Sequence, residues 1–419
     1  MKKVIVVAPV LSKSGYGVHA RFVVDALSTR PDLFDLYVRP LTWGESSWIY
    51  EDTHKRKYYE FLIHKANAYG GPYDISAQVT VPPEWQNVAK INIGITAGVE
   101  TNKVPLPWLR RSNSMDKLIV TSQHTADTFL KTRYDIKSEH TEEILSLVGC
   151  QKPVEVVTYP VKPLTPTDLS ATVDIRPEFN FLTVTQMAPR KNMESVIRWF
   201  VEEFRNEDVG LLLKAHGANN STPDRHRTEN VLEKFVEELG PRKCKIYHIH
   251  GGMTDEELHG LYHHPRIKAY ITATHGEGFG LPIYEAAYSG LPVVAPNWSG
   301  HRDFLSILTP GCKGKMKKEI CFERVASDFG PVPEHALMDD IITADMKWCY
   351  PKEEKFKRAL RRVYSEHKVR KRTAERLQKY LLKTFSQENQ FNAMCNAVWT
   401  AAENETTEWA TKMEEVQEI

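Results

Sequence analysis

Two glutamates and three glycines lie close together in the second half of the chain, in the segment THGEGFGLPIYEAAYSG (274–290). Glu277 stands among the glycines, and Glu285 follows eight positions later. Glycine lets a ligand approach the backbone closely, and the free N–H groups at the start of a helix attract anions. A carboxylate accepts hydrogen bonds and so suits hydroxyl groups. The segment therefore predicts a phosphate site beside a sugar or a ribose; the alternative is an ordinary helix start that happens to carry glutamates.

A pair of cations occurs at an earlier junction, PRKN (189–192), where a predicted strand meets a predicted helix. Lys191 first, and Arg190 second, are the candidates to direct positive charge toward the same ligand. Lysine or arginine stabilises the negative charge of a phosphate without a metal ion. The alternative is that both cations simply flank the helix.

Two further glycines, Gly15 and Gly17, follow the first predicted strand in SKSGYGVHARFVVDAL (12–27). They predict another glycine turn at a helix start. Such a turn either binds a ligand through its backbone or is a purely structural turn, and both interpretations stay open.

Histidines are frequent between His216 and His301, and His248 and His250 can share one face of a predicted strand. A metal site needs further ligands on the same face, and the pattern offers no third one. We therefore expect no metal ion and no other cofactor. The six cysteines are scattered without a C-x-x-C pair, which is typical of reduced thiols in an intracellular protein.

The candidate residues lie at junctions between predicted strands and helices, so the predicted sheets determine where they are placed. Short apolar runs such as KVIVVAP (3–9) and KAYITAT (268–274) predict strands that are buried on both faces, with helices between them. This alternation predicts an α/β fold with doubly wound parallel sheets. The pattern occurs twice, on either side of a proline-rich segment (158–180). We therefore predict α/β domains at 1–165 and 175–350, followed by helices at 351–419.

The segment EGFGLPIYEAAYSGLPVVAPNWSG (277–300) resembles the E-x7-E signature of the retaining glycosyltransferases of family 4, which have the GT-B fold. Two other segments, VTQMAPRKNMESVIRWF (184–200) and HIHGGMTDEELHGLYHH (248–264), are similar to the family's phosphate-binding turn and to its base-contacting segment. The resemblance implies two Rossmann-like domains that face each other across a cleft. It also implies that the helical tail, 351–419, packs back toward the first domain.

The resemblance implies a role for each candidate residue. Glu277 would contact the hydroxyls of the donor sugar, while Lys191 and Arg190 would ease the departure of the diphosphate. Glu285 would hold the ribose of the nucleotide. The other donor-binding positions would be the backbone that faces the diphosphate and the N-terminal glycine loop, namely Gly278, Phe279, Gly280, Leu281, Gly15 and Gly17.

The implied reaction transfers a sugar from a nucleotide-sugar donor, bound by the second domain, to an acceptor hydroxyl at the first. It retains the anomeric configuration and uses no metal ion. Glycans, lipids, proteins and modified nucleic acids all remain open as acceptors. The chain departs from the family pattern in two places: Thr185 and Gln186 replace a Gly-Arg pair, and Glu100 stands near the place of a histidine.

Two other functions fit parts of the sequence. Glu277 and Glu285 could be the paired carboxylates of a glycoside hydrolase, although hydrolysis needs no phosphate site. The chain could also be a catalytically silent module that binds a sugar nucleotide or a glycan. The basic pair together with both glutamates favours the enzyme.

The net charge of the 419 residues is +1, which gives no overall attraction to nucleic acid or anionic lipid. Positive charge is concentrated in KGKMKK (313–318) and KVRKRTAERLQK (368–379). These stretches predict solvated surfaces, with contact to a membrane or another polyanion as the alternative. The N-terminal MKKVIVVAPVL predicts a strand instead of a signal peptide. We expect a cytoplasmic protein, peripheral to a membrane at most.

Overall fold

The computed structural model describes residues 1–49, 51, 53–137, 144–310 and 316–416. The chain divides into two compact units. The first comprises Met1–Pro160, Met338–Thr343 and Gln387–Ile419, and the second comprises Val161–Leu337 and Ala344–Ser386. The division falls inside the proline-rich segment, before the predicted boundary at 165. Val161 already belongs to the second unit, because its N–H donates to the carbonyl of Phe385 at 2.8 Å.

The first unit is an α/β unit built on one parallel sheet. Its strands are β1 (Lys2–Ala8), β2 (Phe34–Pro40), β3 (Ile75–Val79), β4 (Ile91–Thr96), β5 (Lys117–Val120), β6 (Arg133–Lys137), β7 (Ile144–Gly149) and β8 (Val154–Val156). Its helices include α1 (Gly15–Ser28), α2 (His54–Tyr69), α3 (Leu106–Ser112), α4 (Gln123–Lys131) and a 3-10 turn at Pro82–Glu84. Six strands pair in the order β2-β1-β3-β4-β5-β8, and β6 and β7 form an antiparallel hairpin.

The second unit repeats this architecture. Its strands are β9 (Asn180–Gln186), β10 (Gly210–His216), β11 (Lys245–Ile249), β12 (Ile267–Ile271), β13 (Val293–Pro296), β14 (Ser306–Pro310), β15 (Met316–Ile320), β16 (Glu323–Val325), β17 (Ser327–Pro331) and β18 (Lys347–Pro351). Its helices are α5 (Met193–Phe204), α6 (Thr222–Glu238), α7 (Asp255–His263), α8 (Leu281–Tyr288), α9 (Glu353–Ser365) and α10 (His367–Thr384), with 3-10 turns at Pro189–Lys191, Gly300–Arg302 and Glu334–Ala336. The parallel order is β11-β10-β9-β12-β13-β16, beside the antiparallel hairpins β14–β15 and β17–β18.

The strand order places two loops side by side. Strand β9 lies between β10 and β12 in the sheet, so the chain leaves β9 toward one side and later returns to the other. The carboxyl ends of β9 and β12 therefore flank a switch point, where open α/β sheets bind ligands. The segment PRKN follows β9, and the glycine-rich segment follows β12. Sheet topology thus brings both predicted junctions to one place.

Helix α5 shows how the sequence pattern produces the core. Its apolar residues recur at helical spacing, and they are buried against the sheet: Val196, Ile197, Phe200, Val201 and Phe204. Phe356 and Leu360 of α9 are buried in the same cluster. The predicted α/β class with parallel sheets is confirmed by both units.

The predicted tail, 351–419, differs from the structure. Helices α9 and α10 belong to the second unit: the apolar face of α9 completes the core beside α5, and Lys371 of α10 donates to the carbonyl of Gly290. Of the three described tail helices, only the last one, α11 (Gln387–Val416), belongs to the first unit. There Lys117, at the start of β5, donates to the carbonyl of Ala397 at 2.8 Å. The sequence analysis predicted one undivided helical tail, whereas the structure divides it between the two units after Ser386.

Among the described residues, the helices are all too short or too polar to cross a membrane. The described cysteines are free thiols, and four of the five are buried. Cys312 and residues 313–315 of the basic segment KGKMKK lie outside the described residues.

Candidate functional site

The segment PRKN forms a tight turn that is held against the loop after β12. Pro189–Lys191 make one 3-10 turn, which Asn192 ends in the left-handed region at φ 52°. The side-chain amide of Asn192 donates to the carbonyl of Ala273 at 3.1 Å. The N–H of His275 donates to the carbonyl of Arg190 at 2.8 Å. Backbone and amide contacts therefore fix the position from which the basic pair extends.

Glu277 forms ion pairs with both cations of that turn. Lys191 Nζ lies 2.6 Å from Oε1 of Glu277, and Arg190 Nη1 lies 3.1 Å from Oε2. The Glu277 side chain is only 9% exposed, so its charge has little contact with water. Burial alone would raise the pKa of Glu277, but Lys191 and Arg190 outweigh it and lower the pKa to about 2. Glu277 is therefore a fixed anion at neutral pH.

The glycine-rich loop offers its backbone at the start of α8. Gly280 has φ 97°, in the left-handed region that side chains resist. Gly278 and Phe279 are buried, and the ring of Phe279 lies 4.8 Å from that of Phe304 in the core. Leu281 is the first residue of α8 and is partly buried. Because the Phe279 side chain packs in the core, Gly278 and Phe279 can serve a ligand only through their backbone, unlike Glu277 in the same loop.

The segment Ser299–His301 holds the backbone of Glu277 through hydrogen bonds, although no role was predicted for this segment. Ser299 Oγ accepts the N–H of Glu277 at 3.0 Å and lies 3.4 Å from His301 Nδ1. The N–H of Gly300 donates to the carbonyl of Glu277 at 2.9 Å. A Cβ atom on Gly300 would lie 2.0 Å from the carbonyl oxygen of Gly278. The Ser-Gly pair soon after strand β13 was the available signal in the sequence.

His275 joins the glycine-rich loop to the hairpin β17–β18 through hydrogen bonds, a role that the sequence analysis did not predict. Its Nδ1 atom lies 2.7 Å from the carbonyl oxygen of Cys349, whose N–H donates to the His275 carbonyl at 3.1 Å. Its ring stacks on that of Trp348, with centroids 5.1 Å apart. Burial lowers the pKa of His275, so the ring is neutral near pH 7. Among many histidines in the sequence, only the fold distinguishes this one as an anchor.

Glu285 lies in a small cavity with Lys162, Leu164, Asp255, Leu258, His259, Tyr262 and Tyr288. The Tyr262 hydroxyl donates to Oε2 of Glu285 at 3.1 Å, and Lys162 pairs with Asp255 at 2.8 Å. Burial raises the pKa of Glu285 to about 7, against the attraction of Lys162. The carboxyl of Glu285 therefore gains or loses a proton near neutral pH, unlike that of Glu277.

Gly15 and Gly17 belong to the first unit, and packing explains one of them. The hydroxyl of Ser14 accepts the N–H of Gly17 at 3.1 Å and so caps α1. A Cβ atom on Gly17 would lie 1.9 Å from the carbonyl oxygen of Ser12. Close packing is thus sufficient reason for Gly17. A ligand role for this turn stays a prediction.

The histidine pair near the end of β11 is engaged in hydrogen bonds within the unit. His250 Nε2 lies 2.9 Å from Asp224 Oδ2, and His248 Nε2 lies 3.0 Å from the carbonyl oxygen of Ala215. In the part of the chain that the structure describes, no three His, Cys, Asp or Glu side chains come together as metal ligands would. A reaction without a metal ion stays a prediction.

Comparison with solved structures defines the fold class. A glycosyltransferase from Rickettsia africae superposes with a TM-score of 0.58 over 96% of this chain and 99% of that chain, at 14% identity. Sucrose-phosphate synthase from Thermosynechococcus elongatus gives a TM-score of 0.59 over 94% and 97%, also at 14% identity. Anabaena HepE in complex with UDP and glucose gives 0.53 over 96% and 100%, at 11% identity. The chain therefore has the GT-B fold, as predicted.

One match by sequence covers the part of the chain that holds the candidate site. Residues 173–309, about a third of the chain, match the model of the glycosyl transferases group 1. The serotype-specific mannosyltransferase WbdA of Escherichia coli is 33% identical over 116 residues, which are 27% of this chain and 13% of that protein's length. The family match includes Lys191, Glu277 and Glu285.

Proposed function

We propose that this protein is a glycosyltransferase that moves a sugar from a nucleotide-sugar donor to an acceptor hydroxyl, with retention of configuration and without a metal ion. The cluster of Glu277, Lys191 and Arg190 beside the glycine-rich start of α8 carries the proposal. Two cations and the N–H groups of a helix start suit a diphosphate, while a buried carboxylate suits sugar hydroxyls. The family match over residues 173–309 supports the same function.

Arg190 offers the second cation that the diphosphate needs. The family pattern has an arginine just after the strand that corresponds to β9, where this chain has the exposed Gln186. Arg190 and Lys191 both reach the carboxylate of Glu277, so both can reach an anion bound beside it. We therefore propose that Arg190 takes over the charge of the missing arginine.

In the proposed reaction, the bond between the anomeric carbon and the phosphate oxygen breaks, and its electron pair stays with the phosphate. Lys191 and Arg190 stabilise that negative charge. The acceptor oxygen bonds to the anomeric carbon on the same face of the sugar, and its proton passes to the leaving phosphate oxygen. Glu277 orients the sugar by accepting hydrogen bonds from its hydroxyls. Glu285 can hold ribose hydroxyls, because a carboxylate accepts several hydrogen bonds besides that from Tyr262.

The donors to test first follow from the similar proteins. Anabaena HepE was solved with UDP and with UDP-glucose, and the E. coli protein is a mannosyltransferase. UDP-glucose and GDP-mannose therefore head a panel of UDP-, GDP- and ADP-sugars. The measurement is the release of nucleoside diphosphate from each donor, with and without EDTA. We expect slow hydrolysis of one donor at a rate that EDTA does not change.

Two substitutions connect this activity to the site. Lys191→Ala and Glu277→Ala should each reduce the rate at least about 100-fold, because each removes charge that acts on the reacting group. Lys234→Ala, at an exposed position of α6, is the control and should keep the wild-type rate. Wild-type rates in both site variants would overturn the proposal, and loss of activity with EDTA would overturn its metal independence.

A glycoside hydrolase is the second candidate, because the pKa values of Glu277 and Glu285 lie far apart, as in an acid/base pair. The two cations on Glu277 favour the transferase, since hydrolysis of a neutral glycoside gives them no anion to bind. Hydrolysis of a simple nitrophenyl glycoside without nucleotide, lost in both Glu277→Gln and Glu285→Gln, would support the hydrolase. Tight donor binding without product would instead support a silent binding module.

A further inference from the structure

Helix α10 carries two sets of cations that differ in what they contact. Arg370 lies 2.9 Å from Glu323, and Lys371 donates to the carbonyl of Gly290 at 2.7 Å, so this set holds the helix to its unit. The other set is exposed and comprises Lys368, Arg372, Arg376, Lys379 and Lys383. We call this second set the basic stripe. Three of its members, Lys368, Arg372 and Lys379, form no ion pair with the described residues, so their charge requires another explanation.

The basic stripe is narrow because its members recur every three or four residues. A helix turns about 100° per residue, so the five positions fall within an arc of about 80°. The buried residues Ala374, Leu377 and Leu381 lie on the opposite side. The helix contains one acidic residue, Glu375, which projects beside the stripe at its edge. The exposed face of α10 is therefore strongly positive.

Most of this charge is not neutralised within the protein. Among the residues that the structure describes, Lys368, Arg372 and Lys379 take part in no ion pair. Arg376 lies 2.7 Å from Glu319 on β15, but 59% of its side chain remains exposed. That ion pair joins the helix to the neighbouring hairpin, so the two lie side by side in the second unit.

The β14–β15 hairpin adds exposed apolar side chains to this surface. Leu308 is 46% exposed and Met316 is 59% exposed. Leu308 pairs with Lys318 across the hairpin, and Met316 pairs with Pro310, so all four lie on one face. Lys318 is exposed as well. The hairpin therefore presents apolar side chains and positive charge together on one face, while Glu319, the partner of Arg376, lies on the other.

We propose that the basic stripe and the β14–β15 hairpin form a docking surface for a membrane that contains anionic phospholipids. The cations attract anionic headgroups, while Leu308 and Met316 can enter the boundary between headgroups and acyl chains. A single-stranded nucleic acid would be bound best by exposed aromatic rings, on which its bases stack. The large exposed apolar side chains described on α10 and the hairpin are Val369, Leu382, Leu308 and Met316, none of them aromatic.

The test is co-sedimentation of the full chain with lipid vesicles. We expect binding to vesicles of phosphatidylcholine mixed equally with phosphatidylglycerol, weakening as salt is added, and little binding to phosphatidylcholine alone. The combined variant Lys368→Glu, Arg372→Glu and Lys379→Glu should weaken binding at least about 100-fold. The variant Leu308→Ser with Met316→Ser should weaken it about tenfold, and this loss should persist at high salt.

A matched variant distinguishes the effect of the basic stripe from the effect of the protein's net charge. Arg227→Glu, Lys234→Glu and Lys243→Glu remove the same charge at exposed positions elsewhere in the second unit and should leave vesicle binding unchanged. Equal losses in the two charge-reversal variants would overturn the proposal. So would binding to a single-stranded oligonucleotide in preference to anionic vesicles. Donor hydrolysis in solution should be the same in all these variants, so failure here leaves the proposed function intact.

Discussion

Lys191 and Glu277 lie in direct contact, with 2.6 Å between Nζ and Oε1, although 86 positions separate them in the chain. The contact exists because β9 and β12 are neighbours in the sheet and each residue follows one of these strands. Arg190 approaches the other oxygen of the same carboxylate. Glu277 therefore lies beside both cations, where the phosphate of the proposed donor would also bind.

Glu277→Gln should separate binding from turnover. The amide keeps the shape of the side chain but no longer competes with phosphate for Lys191 and Arg190. We expect the affinity for the released nucleoside diphosphate to rise about tenfold, while the rate of donor hydrolysis falls at least about 100-fold. Titration calorimetry with the diphosphate measures the first quantity. Weaker diphosphate binding in this variant would show that Glu277 does not compete for the cations.

Glu285→Gln should change how stability depends on pH. The folded pKa of about 7 lies above the ordinary value of 4.5, so the folded chain binds more protons between these values. The contribution of this group to stability is complete below about pH 4.5 and is lost as the pH rises toward 7. The variant should therefore gain stability relative to the wild type at about pH 8 but not at about pH 4.

Thermal unfolding at both pH values measures this difference for Glu285→Gln. Glu256→Gln, at an exposed position near the start of α7, is the control and should follow the wild type at each pH. A constant offset in Tm between Glu285→Gln and the wild type would contradict the raised pKa.

His19 should make the protein sensitive to mild acid. It is fully buried, with its ring 5.0 Å from that of Tyr159, and neither ring nitrogen has a partner among the described residues. Burial lowers the pKa of His19 to about 3. The unfolded chain takes up a proton near pH 6.5, so stability should fall below that pH by up to about 1.4 kcal/mol per pH unit.

The variant His19→Leu lacks this proton and should lose less stability between about pH 7 and pH 5. Urea unfolding at the two pH values gives the free energy of unfolding for both proteins. Parallel losses in the wild type and the variant would show that His19 is not the group responsible.

Gly300→Ala should displace the loop that carries Glu277. The new Cβ atom would lie 2.0 Å from the carbonyl oxygen of Gly278, and a backbone atom can yield only if the loop moves. We expect a loss of about 1–3 kcal/mol in the free energy of unfolding, together with weaker donor binding. Gly252→Ala is the matched control, because its Cβ would meet the end of the Asn220 side chain at 3.0 Å. Equal stability in the two variants would contradict the close packing.

The elements could be predicted from the sequence because their signals are local. Strands that are apolar without interruption predicted buried parallel sheets, and the apolar residues of α5 predicted the face that packs. The glycine-rich junction and the basic pair were visible as loop-to-helix starts. The single tail was not divided correctly, because whether a helix joins the first or the second unit depends on which core accepts its apolar face.

Residue type and spacing were enough to identify the candidate site residues Glu277, Glu285, Lys191 and Arg190. The folded structure was needed to show that Lys191 and Arg190 pair with Glu277, and that Ser299 and His275 hold its loop. The same structure shows that the pKa of Glu277 is lowered while the pKa of Glu285 is raised. Spacing reports the few residues around a position, whereas burial and charge depend on neighbours that the strand order brings from distant parts of the chain.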